Sequence, residues 1–99
     1  MTVRILSMTT FTWKRPVVAG DVQRVDEIVS GLATTLAGVE RMEFGRSLEM
    51  SPISRDYAIS ILFRDADAFR AYPGDPGHRA LRKLTEAMAE DVAIVQLAA

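Results

Sequence analysis

The sequence predicts a single α+β domain over residues 1–99, with elements in the order β-α-β-β-α-α-β. Two observations support this prediction. A chain of 99 residues with 48% hydrophobic and 25% charged side chains is typical of one globular domain. Segments with β-branched or alternating apolar residues are interspersed with segments whose apolar residues recur at helical spacing. Four strands in this order are expected to form one antiparallel sheet, a split βαβ arrangement.

The first half of the chain predicts two strands separated by a helix. Residues 3–12 are rich in β-branched and apolar side chains and predict the first strand. Asp21 is a candidate N-cap, and Gly38 is expected to end the helix that follows. Residues 39–48 alternate between apolar and polar side chains, which indicates a half-exposed second strand. The apolar side of the helix is formed by Val22, Val25, Ile28, Val29, Leu32 and Leu36.

The second half begins with a third strand over residues 57–63. Asp65 or Asp67 can cap a short helix that runs through Tyr72 and that Pro73 stops. A further helix and a final strand complete the chain.

That further helix has a clear start, with Asp75 as N-cap and Pro76 at its first position. Its apolar stripe consists of Leu81, Leu84 and Met88. Residues 92–97 predict the last strand.

Composition excludes several classes of function. A net charge of -1 argues against nucleic acid as the main partner, because phosphate binding needs clustered basic residues. The absence of cysteine excludes thiol chemistry and Cys-ligated metals. With a single histidine and no phosphate-binding glycine-rich loop, we expect neither a metal nor a cofactor. No apolar run is long enough for a membrane span or a signal peptide, so a cytoplasmic protein is expected.

The predicted sheet carries apolar residues on both of its faces, although one layer of helices can cover only one face. In the first strand, Leu6 and Met8 lie on the face opposite to Ile5 and Phe11. In the third strand, Leu62 likewise lies on the face opposite to its apolar neighbours. A bare apolar face of several hundred Å² is larger than monomers usually tolerate. We therefore expect a homodimer that packs sheet face against sheet face into a closed barrel.

The segment from Tyr72 to His78 is the main candidate for chemistry. Two prolines and two glycines make this turn tight, so the phenol and the imidazole can converge beside an apolar pocket. His78 could act as a general base and Tyr72 as a hydrogen-bond donor to an oxyanion. A structural histidine and a core tyrosine are the alternatives. The positive helix end favours neutral imidazole and Asp75 favours imidazolium, and the sequence leaves this balance open.

Polar and aromatic residues elsewhere are weaker candidates. Ser7, Thr9 and Thr10 in the first strand would need partners, or a ligand, if they face inward; threonine is also common in strands. Trp13 and Arg46 are candidates for the rim of the pocket. The alternatives are an amphipathic cap for Trp13 and a solvated charge for Arg46.

Over nearly its whole length the chain resembles the stress-responsive A/B barrel domain (Dabb, dimeric α/β barrel) family. The resemblance rests on Phe44-Gly45-Arg46, the Ser51-Pro52 turn and, most specifically, Ala71-Tyr72-x-x-x-Pro76-x-His78. It implies a ferredoxin-like protomer, a homodimer and a cavity between sheet and helices. The chain departs from the family pattern at Ile5 and Asp75, where histidines are common.

Characterised members of this family include a plant polyketide (olivetolic acid) cyclase and a plant hydroxynitrile lyase. The resemblance therefore implies a cofactor-independent cyclase, lyase or isomerase acting on a small hydrophobic carbonyl compound, with His78 as base and Tyr72 as oxyanion partner. One alternative is a non-catalytic, stress-responsive homodimer that binds an apolar ligand. Another is a cofactor-free monooxygenase of the antibiotic-biosynthesis type.

Overall fold

A computed structural model describes residues 2–99 as one four-stranded antiparallel sheet covered on one face by helices. The strand order in the sheet is β2-β3-β1-β4, which is the ferredoxin-like arrangement predicted from the element order. The elements are β1 (Ile5–Trp13), α1 (Ala19–Thr35), β2 (Val39–Arg46), β3 (Tyr57–Phe63), α2 (Ala66–Ala71), a 3₁₀ turn (Tyr72–Gly74), α3 (Pro76–Met88) and β4 (Ala89–Ala98).

Helix α1 differs from the prediction at both ends. It begins two residues before Asp21, and its N-cap, Val18, makes no capping hydrogen bond, so the predicted Asp21 cap is wrong. Asp21 lies instead in the first turn, where a carboxylate interacts favourably with the helix dipole. The helix ends at Thr35 rather than at Gly38, whose φ of 78° places it in the turn that leads into β2.

The hydrophobic core lies between α1, α3 and the side of the sheet that faces them. The alternation of β3 is confirmed, because its odd-numbered residues are buried and those between them are more exposed. Phe63, Val25 and Val29 are completely enclosed at the centre. Gly77 in the first turn of α3 lies so close to α1 that a Cβ there would sit 2.7 Å from Leu32 Cδ2. The missing side chain therefore allows α3 to start directly against α1.

Within residues 2–99, no helix covers the opposite side of the sheet. Leu6, Met8 and Leu62 lie on it, and Val95 and Leu97 of the edge strand β4 are each 46% exposed. The loop from β2 to β3 adds three strongly exposed apolar side chains, Leu48, Met50 and Ile53. The uncovered apolar face expected from the sequence is therefore present in the isolated chain. Among the helices of residues 2–99, none combines the length and hydrophobicity that crossing a bilayer requires.

Candidate functional site

A cavity of about 380 Å³ lies between α3 and the sheet. Its wall is mostly apolar and includes Phe11, Ile59, Ile61 and Leu81. On the β4 side it is bounded by Val92 and Ile94, which are partly exposed because β4 is an edge strand. An apolar hollow of this size, with a few polar groups, is typical of a small-molecule site.

Strand register determines which residues of β1 reach the cavity. Ser7, Thr9 and Phe11 alternate onto the helix side, where Thr9 pairs with Ile59 of β3 and Ile94 of β4. Thr10 is paired with Ala58, on the uncovered side. Two of the three hydroxyls singled out in the sequence therefore face the cavity, and the third does not.

The turn between α2 and α3 brings Tyr72 and His78 together in the cavity wall. Their ring centroids are 4.1 Å apart, with an angle of 53° between the ring planes. The predicted helix start is confirmed, since the Asp75 carboxylate accepts hydrogen bonds from the backbone N–H groups of Gly77 (2.8 Å) and His78 (3.2 Å). This N-cap fixes the first turn of α3 and therefore the position of the imidazole.

The surroundings of His78 favour its neutral form. Burial lowers its pKa, the positive charge of Arg82 lowers it further, and the carboxylate of Asp75 acts in the opposite direction. The question that the sequence left open is thus decided by desolvation. A neutral imidazole near pH 7 has a free lone pair, as a general base requires.

The two ring nitrogens of His78 differ in accessibility. Nδ1 is fully enclosed and has no hydrogen-bond partner within residues 2–99. Nε2 is not enclosed in this way and makes no hydrogen bond in the same range, so it is the nitrogen that can meet a ligand.

Tyr72 is 9% exposed, and its hydroxyl makes no hydrogen bond to the described part of the chain. Burial, followed by the charge of Asp75, raises its pKa to about 12. The phenol therefore stays protonated at neutral pH and can donate a hydrogen bond.

The cavity also contains a charged pair that the sequence analysis did not single out. Arg82 and Glu86 of α3 both line it, and Arg82 Nε–H donates to Glu86 Oε1 at 2.8 Å. A sequence signal existed. Positions 78, 82 and 86 follow at intervals of four, which places three polar side chains on one face of a helix.

Trp13 and Arg46 do not border this cavity. Trp13 is a core residue stacked on Phe11, with ring centroids 5.1 Å apart. Both residues line a second, more open hollow, in which Arg15 pairs with Asp56 at 3.0 Å. Within residues 2–99, no cluster of three or more histidine or acidic side chains could hold a metal ion.

Comparison with known proteins places this geometry in context. The family model described as "Stress Responsive A/B Barrel Domain" (Dabb) matches residues 5–98. No curated protein sequence matches the chain significantly.

Three solved structures illustrate the range of similar proteins. A dimeric ferredoxin-like protein of unknown function from Thermobifida fusca is 27% identical, with a TM-score of 0.92 and coverage of 100% of this chain and 93% of that one. A Dabb family protein from Mesorhizobium loti is 20% identical, with a TM-score of 0.79 over 98% and 97%. Hydroxynitrile lyase from Passiflora edulis is 10% identical, with a TM-score of 0.83 over 100% and 95%. The last two likenesses concern the fold alone.

Proposed function

The chain belongs to the stress-responsive A/B barrel domain (Dabb) family, and from this premise we propose that it is a cofactor-independent lyase or cyclase acting on a small, largely apolar carbonyl compound. One observation carries the proposal: the rings of Tyr72 and His78 lie in the wall of an apolar cavity with their centroids 4.1 Å apart. A hydroxynitrile lyase shares the fold, which shows that the fold can hold a lyase site.

His78 acts as the base through Nε2. It removes a proton from a carbon next to the carbonyl, or from a hydroxyl group on the substrate. The Tyr72 hydroxyl donates a hydrogen bond to the oxygen on which negative charge develops. In a cyclisation the enolate carbon then forms a bond to a second carbonyl carbon, and the imidazolium returns the proton to the new alkoxide. Protons and electrons balance without an oxidant or reductant.

The functional protein is proposed to be a homodimer that buries the uncovered sheet face. The proteins of similar fold from Thermobifida fusca and Bacteroides fragilis are both described as dimeric. Light scattering should return twice the chain mass of 10.9 kDa at micromolar concentration. Leu62→Lys should shift the species to the monomer mass, because it places a charge at the centre of this face. A monomer mass for the unaltered protein would contradict the dimer.

Proton removal can be tested before the natural substrate is known. The protein is incubated in D₂O with octan-2-one, and deuterium entry next to the carbonyl is followed by NMR; mandelonitrile cleavage to benzaldehyde is followed by absorbance. We expect acceleration of at least one reaction, a loss of about 100-fold or more in His78→Ala, and a smaller loss in Tyr72→Phe. Tyr57→Phe is the matched control, since Tyr57 does not line the cavity.

Activity that survives in a folded His78→Ala protein would refute the base assignment. The second candidate function, a non-catalytic ligand-binding dimer, is favoured by one observation: within residues 2–99, Nδ1 of His78 lacks the hydrogen-bond acceptor that usually orients a catalytic imidazole. Binding of octan-2-one without acceleration of either reaction would support that candidate. Oxygen uptake with a hydroxyaromatic compound would instead indicate a monooxygenase.

A further inference from the structure

Within residues 2–99, Arg82 and Glu86 are the only formally charged residues that line the cavity between α3 and the sheet. The remaining wall is apolar apart from hydroxyl groups and His78. An ion pair on the surface of a helix can form without a cavity beside it. Here the pair lies on the side of α3 that also carries the proposed base, so both charges act on a ligand that occupies the cavity.

The bond between the two side chains leaves most of the guanidinium free. Arginine has five N–H donors in a planar fork that matches a carboxylate. Only Nε–H is used, by Glu86 at 2.8 Å, and neither terminal nitrogen of Arg82 makes a hydrogen bond to residues 2–99. Both side chains are also more than 60% exposed, and such pairs are weak and readily exchanged. A ligand carboxylate can therefore bind the free edge of Arg82 without breaking a strong internal contact.

The spacing of Arg82 from His78 limits where the charge of the ligand would lie. Residues four apart on a helix are slightly more than one turn apart, roughly 6 Å along the axis. With carbon–carbon bonds of about 1.5 Å, this corresponds to about three to five bonds between the reacting carbonyl and the carboxylate. The apolar part of the ligand would extend toward Ile59, Ile61 and Phe11.

We propose that Arg82 makes this cavity selective for apolar oxo acids, whose carboxylate it binds while the carbonyl lies at Tyr72 and His78. This inference rests on the proposed function, because it places the carbonyl beside the same two residues. Glu86 stays on Nε–H and, as a like charge beside the bound carboxylate, weakens its binding.

The test compares 4-oxooctanoate with its methyl ester, which has the same carbonyl and chain but no charge. The neutral fluorophore N-phenyl-1-naphthylamine reports on the cavity, and each compound is added until the dye is displaced. In the unaltered protein the acid should bind more tightly than the ester. Arg82→Gln should weaken binding of the acid about tenfold and leave the ester and the dye within twofold.

Two further variants make the result specific. Arg79→Gln removes an arginine from the same helix that does not line the cavity, and it should change neither ligand. Glu86→Gln removes the neighbouring negative charge and should tighten binding of the acid about twofold to threefold. If Arg82→Gln weakens acid and ester equally, its role is structural and the proposal is wrong. Equal binding of acid and ester by the unaltered protein would also overturn it.

These measurements are independent of turnover. Loss of acid selectivity in Arg82→Gln would support the anion site even if His78→Ala retained activity. Conversely, the base assignment survives if acid and ester bind alike.

Discussion

The two tyrosines of the chain occupy opposite situations on the same face of the sheet. Tyr57 is 1% exposed, and its hydroxyl donates a hydrogen bond to the Asp26 carboxylate, which also pairs with Arg46. Tyr72 is nearly as buried, but its hydroxyl has no partner within residues 2–99 and its ring lies against His78. One phenol is satisfied within the protein, whereas the other faces a cavity.

This difference separates a residue that stabilises the fold from one that is available to a ligand. Buried polar atoms are nearly always hydrogen-bonded, so an unpaired one needs an explanation. Within residues 2–99, such an atom lies at the Tyr72 end, namely Nδ1 of His78, whereas the Tyr72 hydroxyl is not fully enclosed. The Tyr57 hydroxyl, which is bonded to Asp26 in a network with Arg46, needs no ligand to satisfy it. Four experiments test this contrast.

The largest difference is expected in stability. Tyr57→Phe removes a hydrogen bond to a charged group and should lower the free energy of unfolding by about 1–3 kcal/mol. Tyr72→Phe removes a hydroxyl without a partner and should change it by less than about 0.5 kcal/mol. Urea denaturation at a fixed protein concentration measures both values. Equal losses would show that the Tyr72 hydroxyl has a structural partner.

The next effect concerns the cap that positions His78. Asp75→Ala leaves two backbone N–H groups without their acceptor and should lower the free energy of unfolding by about 1 kcal/mol. Asp75→Asn retains a capping oxygen and should lower it less.

At the other end of the core, the N-cap of α1, Val18, makes no side-chain hydrogen bond, so Val18→Ser should raise the free energy of unfolding by about 0.5 kcal/mol. Urea denaturation of the three variants measures these values. An unchanged free energy of unfolding in Asp75→Ala would contradict the role of Asp75 as N-cap.

The smallest effect is a shift in the pKa of His78, which NMR can follow without ambiguity because the chain has one histidine. Arg82→Gln should raise this pKa, since it removes a nearby positive charge, and Asp75→Asn should lower it further. Arg79→Gln is the control. If the pKa of His78 is unchanged in Arg82→Gln, the guanidinium lies too far from the imidazole to influence it.

The depressed pKa of His78 also has a consequence for stability. Its folded value lies below the ordinary 6.5, so the unfolded chain takes up the proton first as the pH falls. The contribution of His78 to stability is therefore complete above about pH 6.5 and is lost as the pH falls through the folded value. Comparing His78→Gln with the unaltered protein over this range isolates that contribution.

Much of the fold was predictable because local rules agree with the tertiary structure. The alternation of residues 57–63 correctly predicted which side is buried, and Asp75 followed by Pro76 correctly predicted where α3 begins. The start of α1 was not predictable in this way. Val18 has no capping side chain, and packing of the apolar side of the helix against the sheet outweighs the missing cap.

The candidate site was predictable only in part. Its stiff turn identified Tyr72 and His78, whose roles remain proposals. Arg82 was missed because an arginine on an amphipathic helix normally faces solvent, and nothing in residues 76–88 alone shows that a cavity lies beside it. Likewise, alternation places Ser7 and Thr9 on one side of β1 and Thr10 on the other, but which of these sides the helices cover depends on the packing and register with β3 and β4.

The order of the elements, the apolar sides of the strands and the start of α3 follow from the sequence, because periodicity and capping act over a few neighbouring residues. That Tyr72, His78 and Arg82 share one cavity with Ser7 and Thr9 is visible only in the folded chain. That juxtaposition depends on how closely α3 approaches α1 at Gly77 and on the register of three strands. Both are set by packing between segments that are distant in the chain.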